Sequence, residues 1–461
     1  MPRADAPWSP SIDRLRVVFM RGIHELIVLS LAGLVLALPG STAAEARPPN
    51  IVVLLADDLG WGDLERHGGP ARTPAIDRLA AEGVELRRCY AHPVCSPTRA
   101  ALLTGCLPRR FGIDRPLARR DPGLPAGLST LPRTLAAAGY ATSLVGKWHL
   151  GTASPPLASG FDHFYGFLGP EIDSFTHLDR RGGLDWQRDG TPVEEEGYAA
   201  ILMADEAVRI IERSEADRPF YLQLAFNVPH FPILAPADST AKYAGLPEPQ
   251  ATRCGMIDVL DTSVARVLAA LDARGLANET IVLFLSDNGA DRSGSNAPFR
   301  ARKATVYEGG IRVPAIVRFP GRLPAATVSE QPIAIHDLFP SLCAATGVPL
   351  PAEARCDGID LWPALVAGRV DDRPPLVIAT ADRACLAGDW KLVVSAAGES
   401  ELFHLGTDPG ETHDLRAAEP GVTAILRSRL AEVEAGFAAP AGRAPPPRRA
   451  VPEKAPEGGD R

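Results

Sequence analysis

Four runs of β-branched and aliphatic residues, each ending abruptly in a polar cluster, constrain this chain more than any other feature. "NIVVLLA" (Asn50–Ala56) runs into "DDLGWGD", and "ATSLV" (residues 141–145) into "GKWHLG". "FYLQLAF" (residues 220–226) runs into "NVPHFP", and "TIVLFLS" (Thr280–Ser286) into "DNGAD". Uninterrupted apolar runs of this length suit strands buried on both faces, as in a parallel sheet covered by helices. Helical patterns separate them: "TPAIDRLAAEG", "TLPRTLAAAG", "YAAILMADEAVRIIERS" and "GMIDVLDTSVARVLAALDARG". The alternation predicts an α/β fold, a large mixed, mostly parallel sheet sandwiched by helices.

Such a fold says where to look for chemistry, because ligands of open parallel sheets gather beyond the carboxyl ends of the strands. Asp57 and Asp58, Lys147 and His149, Asn227 and His230, and Asp287 and Asn288 all occupy that position. The four clusters therefore predict one site. Asp57, Asp58, Asp287 and Asn288 offer hard oxygen donors, which suit Ca²⁺ or Mg²⁺ better than zinc. Lys147 and His149 are two apart, so in an extended segment both face one side. His230 stands between prolines, which constrain where its imidazole can aim. Lys303, in "RARKATVYEGGIRVP", carries no signal by itself.

"HPVCSPTRAALLTG" (residues 92–105) predicts a short bracketed helix, with Ser96 as cap, Pro97 in the first turn and Gly105 as stop. Cys95 would then lie just before the helix, where N–H groups and the dipole favour negative charge. For an isolated residue, a buried structural cysteine before a core helix is the ordinary reading. Eight arginines fall between Glu85 and Arg120, opposed by Glu85 and Asp114. That imbalance suggests an anionic ligand near Cys95, while the net charge of −8 argues against a nucleic-acid partner.

The ends differ in character from the middle. "LIVLSLAGLVLAL" follows Arg21 and precedes "STAAEA", the pattern of an export signal, too short for a stable membrane span. Residues 1–46 are thus read as a leader, with Met20 an alternative start, and the protein as periplasmic or secreted. Residues 47–370 would form the main domain. Residues 371–437, with "PLVIAT", "ACLAGDWKLVVS", "SELFHLG" and "AILRSRLAEVEAGF", predict a small antiparallel sheet with a helix. Residues 438–461, rich in Pro, Ala and charge, are expected to be disordered. Seven scattered cysteines give no disulfide framework.

"CSPTRAALLTG" resembles the signature of the sulfatases, and the likeness extends through "PNIVVLLADDLGWGD", "GKWHLG", "SDNGA", "YEGGIRVP" and "DWKL…ELFHLGTDPGETHDL". It covers residues 48–416, nearest to the arylsulfatase-like group of the alkaline-phosphatase-like superfamily. The resemblance implies that a maturation enzyme converts Cys95 to formylglycine (3-oxoalanine). The hydrate of that aldehyde attacks a sulfate ester with one hydroxyl and expels sulfate with the other. It implies Ca²⁺ held by Asp57, Asp58, Asp287 and Asn288, with Arg99 and Lys147 around the formylglycine. His149 becomes the base, and His230 and Lys303 the groups that contact sulfate and protonate the leaving oxygen. Thr98, Cys106 and the residues flanking Lys303 (Ala301, Arg302 and Ala304) depart from the usual pattern. A phosphonate monoester or phosphodiester hydrolase, or a sulfated-glycan binder with unmodified Cys95, are the competing readings. Residues 154–192 and 232–249, with His177 and Trp186, are expected to line the approach.

Overall fold

The structure, a computed structural model, describes residues 47–437. The expected leader and the expected C-terminal tail lie outside the described residues.

In chain order the strands begin with β1 (Asn50–Ala56), β2 (Val84–Leu86), β3 (Cys89–Tyr90), β4 (Ala141–Lys147) and β5 (His163–Phe167). There follow β6 (Gln187–Arg188), β7 (Thr191–Pro192), β8 (Phe220–Ala225), β9 (Thr280–Ser286) and β10 (Ala315–Arg318). The last are β11 (Thr327–Ser329), β12 (Ile333–Ala334), β13 (Leu376–Ala379), β14 (Arg383–Ala387), β15 (Trp390–Val394) and β16 (Ser400–His404). Ten of them form the main sheet, in the order β11-β2-β10-β9-β1-β8-β4-β5-β6-β7. Its centre, β9-β1-β8-β4-β5, is entirely parallel, and antiparallel pairing appears only towards the edges. The sequence-based expectation of a mixed, mostly parallel sheet is met.

The apolar runs are continuous because both faces are covered. Val52, Leu54, Leu222, Leu224, Val282 and Phe284 join one core, with helices Pro74–Glu82, Ala199–Glu212 and Gln250–Ala273. Their neighbours in sequence, among them Ile51, Val53, Tyr221, Ile281 and Leu283, join the other, with helices Cys95–Thr104 and Leu338–Thr346. Side chains alternate across a strand, so each run must be apolar at every position. Strand β4 extends two residues beyond its apolar run and ends on Lys147 itself.

Strands β13 to β16 form a separate antiparallel meander. One face packs on helix Pro420–Ala435 through Leu426 and Leu430. The other packs Leu376, Ile378 and Phe403 on Tyr90, Val306 and Ile311 of the large unit.

Candidate active site

The carboxyl ends of β1, β9 and β4 bring the sequence-selected side chains into one buried cluster. Donor atoms of Asp57, Asp58, Cys95 and His230 all lie within 4.8 Å of one another. Lys147 Nζ donates to Asp57 Oδ2 at 2.6 Å, and Lys303 Nζ to Asp58 Oδ2 at 2.7 Å. Arg99 donates to Asp287 Oδ2 through Nε at 3.2 Å and Nη2 at 2.7 Å. Asp287 Oδ1 in turn accepts the Asp58 N–H at 3.2 Å. Asn288 Nδ2 donates to Asp58 Oδ1 at 2.7 Å, and the thiol of Cys95 faces Asp57 Oδ1 at 3.6 Å. Asp58 and His149 hold left-handed backbone conformations, φ +68° and +55°, strain that surrounding structure must maintain.

The electrostatics are tight. Burial opposes the charge on Asp57, but Lys147, His230, Arg99 and Lys303 together hold its carboxyl well below the usual range. Asp287 is pushed up, by burial and then by the negative charge of Asp57 beside it. Three carboxylates crowded so closely are what a divalent cation relieves. Asn288 adds a specific sign of one: its amide nitrogen is spent on Asp58 and Gly289, while its Oδ1 is buried without a hydrogen-bond partner. The donor set therefore fits a hard cation.

His149 is poised differently. Its Nε2 lies 2.8 Å from the carbonyl of Leu117, which can only accept, so that nitrogen carries the proton. Nδ1 is then a lone pair, buried and without a partner. Burial, with Lys147 and Arg99 nearby, holds the ring well below the ordinary histidine range and keeps it neutral. Nδ1 can therefore accept a hydrogen bond.

Several expectations need correction. The helix begins at Cys95 rather than after it, with Val94 as N-cap, and Gly105 ends it in the left-handed region as foreseen. Ser96 does not cap; its hydroxyl donates to the His149 carbonyl and accepts from Leu117 N–H. Every residue of Cys95–Thr104 is buried. Burial, then Asp287, push the Cys95 thiol well up against the pull of Lys147 and Lys303, so the expected preference for its anion is not met. Of the basic segment, only Arg99 has its side chain in this cluster. Arg87, Arg88, Arg110, Arg115 and Arg119 pair with Glu330, Asp389, Asp357, Asp121 and Asp179, and Arg109 donates to Thr380 O. These acids lie far off in sequence for most of the arginines, so a local charge count could not foresee them. Trp186 and His177 are buried and stacked at 4.6 Å, and line no approach. Asn227 bonds Ser174 rather than a site residue.

Sequence reasoning missed Arg253, on helix Gln250–Ala273. It is buried and donates to Asp58 O at 2.7 Å, Asp63 Oδ2 at 2.8 Å and Pro229 O at 3.0 Å. It braces both Asp58 and the turn before His230. An arginine in the first turn of a long helix gave no sign of this.

Comparison with known proteins agrees with the geometry. Residues 49–348 match the family model described as Sulfatase. The chain is 36% identical to N-acetylgalactosamine-6-sulfatase of Sus scrofa, over 88% of this chain and 87% of that protein. It is 34% identical to arylsulfatase A of Homo sapiens, over 87% and 90%. The fold is similar to the crystal structure of Ps i-CgsB, with TM-score 0.80 and 29% identity, covering 84% of this chain and 93% of that one.

Proposed function

The chain belongs to the sulfatase family, and we propose that it hydrolyses sulfate esters of sulfated sugars through a formylglycine derived from Cys95, set beside Ca²⁺. The observation that carries this reading is the convergence of Cys95, Asp57, Asp58 and His230 within 4.8 Å. Because Cys95–Thr104 is buried throughout, a maturation enzyme would act before this helix packs. The buried thiol, with its ionisation suppressed, would itself be a poor nucleophile.

Asp57, Asp58, Asp287 and Asn288 would hold the cation, with Asn288 Oδ1 supplying the donor that has no other partner. Bound there, Ca²⁺ would supply positive charge to an oxyanion. The hydrated aldehyde would supply one hydroxyl for attack on sulfur and a second for release of sulfate. The chain's own groups do the rest. Asp57, Asp58 and Asp287 are balanced by Lys147, Lys303 and Arg99 in direct ion pairs, so an added dication leaves the pocket net positive for a sulfate anion. Arg99 and Lys147, with side chains 1% and 0% exposed, fix the closed end. His230 and Lys303, 11% and 17% exposed, face the opening, where a leaving oxygen would need a proton. The neutral His149, with Nδ1 free, takes the proton whose removal lets sulfate depart.

The substrate panel begins with N-acetylgalactosamine 6-sulfate, after the relatives of that name, and includes carrageenan oligosaccharides, since Ps i-CgsB has been crystallised with k-i-k-neocarrahexaose. The apolar leader pattern supports export to the periplasm or outside the cell. Among the described residues no helix is long and apolar enough to cross a membrane.

Paired assays on a sulfate ester and a phosphonate monoester sharing one aryl leaving group test the reading. Faster turnover of the sulfate supports it, and a preference for the phosphonate overturns the sulfur specificity. Binding of sulfated sugars without turnover, in protein from a host with the maturation enzyme, would overturn catalysis.

A further inference from the structure

Two motifs shared with the family, "YEGGIRVP" and "DWKL…GETHDL", hold none of the residues placed in the reaction above, yet they meet inside the protein. Lys391, on β15 of the small sheet, is fully buried, and its Nζ lies 2.8 Å from both Glu308 Oε1 and Glu411 Oε1. Glu308 also receives Tyr90 Oη at 3.2 Å and Arg312 Nη1 at 3.3 Å through Oε2. Its backbone N–H donates to Glu411 Oε2 at 2.6 Å. Burial resists charge on both acids. Lys391 and Arg312 nevertheless hold Glu308 below the ordinary value, whereas burial, partly offset by Lys391, leaves Glu411 above it.

Glu308 opens a single helical turn, Glu308–Ile311, that lies against the loop bearing Lys303. Gly309 N–H donates to Arg300 O at 2.8 Å, and Gly310 O accepts from Gly289 N–H at 3.0 Å, next to Asn288. A Cβ on Gly309 would stand 2.5 Å from the carbonyl oxygens of Arg300 and Ala301, so turn and loop move as one piece. Lys303 and Ala304 are tied on to Ala290 O and Pro93 O at 3.0 and 2.7 Å. Ala301 and Ala304, on either side of Lys303, have φ of +65° and +71°. Alanine adopts that region only where its surroundings impose it. A second link runs alongside: Arg300 lies 3.9 Å over the Tyr307 ring and donates to Glu411 O at 3.0 Å.

The geometry points to a positioning role for the buried Glu308–Lys391–Glu411 cluster: it clamps the small C-terminal sheet to the Lys303 loop and thereby sets where the Lys303 ammonium stands against Asp58. Apolar side chains would fill this interface at least as stably, since buried ion pairs seldom exceed good packing in net stability. What they would lack is direction. Charged partners with defined hydrogen bonds select one register of sheet against loop, and Lys303 inherits that register. The proposal rests on the assignment of Lys303 to protonation of the leaving oxygen.

The leaving group supplies the test. Protonation matters for a sugar or alkyl sulfate, whose alkoxide leaves poorly, and little for 4-nitrophenyl sulfate. The quantity to measure is the ratio of kcat/KM on an alkyl or sugar sulfate to that on 4-nitrophenyl sulfate. In Lys303→Ala it should fall on the order of 10²-fold. In Lys391→Met it should fall roughly 10-fold, and less in Glu411→Gln, with 4-nitrophenyl sulfate turnover retained in both. Should Lys391→Met not fold, Glu411→Gln, which keeps the shape and an acceptor for Glu308 N–H, carries the test. An unchanged ratio in the folded network variants, beside a lowered ratio in Lys303→Ala, overturns the clamp alone. An unchanged ratio in Lys303→Ala overturns the acid role and the proposal with it. A loss equal on both substrates marks a merely structural cluster and also overturns it.

Discussion

Two buried charge clusters flank the Lys303 loop, and they differ in how far they satisfy themselves. Around Lys391, two carboxylates meet an ammonium and a guanidinium, all within the fold. Around Asp57, three carboxylates meet three cations, yet Asn288 Oδ1 and His149 Nδ1 remain buried without hydrogen-bond partners. Unpaired buried polar atoms cost free energy, typically ~1–3 kcal/mol each. At the Lys391 cluster Glu411 Oε1 also lacks a hydrogen bond, but the Lys391 ammonium stands 2.8 Å from it, whereas the unmatched atoms beside Asp57 fit a place where something else binds. The contrast also separates global stability from turnover of an aryl sulfate: the closed cluster should carry the first and the open cluster the second, with the closed cluster reaching activity only through the leaving-group selectivity set at Lys303.

The largest expected effect falls on the open cluster. Cys95→Ala should lower kcat/KM on an aryl sulfate by on the order of 10⁴-fold or more, as loss of a nucleophile does, while the melting temperature changes little. Equal loss of stability and activity would erase the distinction. At the closed cluster the order reverses. Lys391→Met leaves two acids facing each other without their cation and should cost ~3–5 kcal/mol in urea unfolding. Adding Glu411→Gln to it should restore much of that loss, because Glu308 still pairs with Arg312 and no carboxylate is left without a cation. Next comes the cation. Ca²⁺ at a hundred times its dissociation constant should stabilise the protein by ~2.7 kcal/mol. Thermal melts with Ca²⁺ and with chelator measure this, and Asp58→Asn should abolish the response while Glu411→Gln keeps it.

The smallest effect lies at a third, more superficial group. Glu85 on β2 would be raised by burial, but hydrogen bonds from His67 and Arg66, both at 2.8 Å, hold it at about 2 against an ordinary 4.5. A carboxyl whose folded value is depressed contributes stability above its unfolded value and loses it as pH falls towards the folded one. The free energy of urea unfolding should therefore drop between pH 4.5 and 2, by no more than ~2 kcal/mol after solvent screening. Glu85→Gln should flatten that part of the slope.

How much of this could be read beforehand follows the same division. The strands were legible because burial on both faces demands apolar residues throughout, as at Ile51 and Val52, which enter different cores. The open cluster was legible because strand ends expose short polar words, "DD", "GKWH" and "DNG", at known positions. The closed cluster was not. Glu308, Lys391 and Glu411 are 83 and 20 residues apart in sequence, and each alone looks like a surface charge. The same blindness hid Arg253 and overcounted the arginines near Cys95, whose partners arrive from remote segments such as Asp357 and Asp389. Trp186 misleads for the opposite reason: an aromatic residue in a loop-rich stretch suggests the lining of an approach, but it fills the core beside Tyr165.

The account turns on what residue 95 is when the enzyme works. Mass spectrometry of the peptide spanning Cys95, taken from active protein and quantified against turnover, tests it most directly. The account predicts an aldehyde, lighter than the thiol by sulfur and two hydrogens exchanged for one oxygen, in proportion to activity. Full turnover of a sulfate ester by protein in which that peptide carries only the thiol would contradict it.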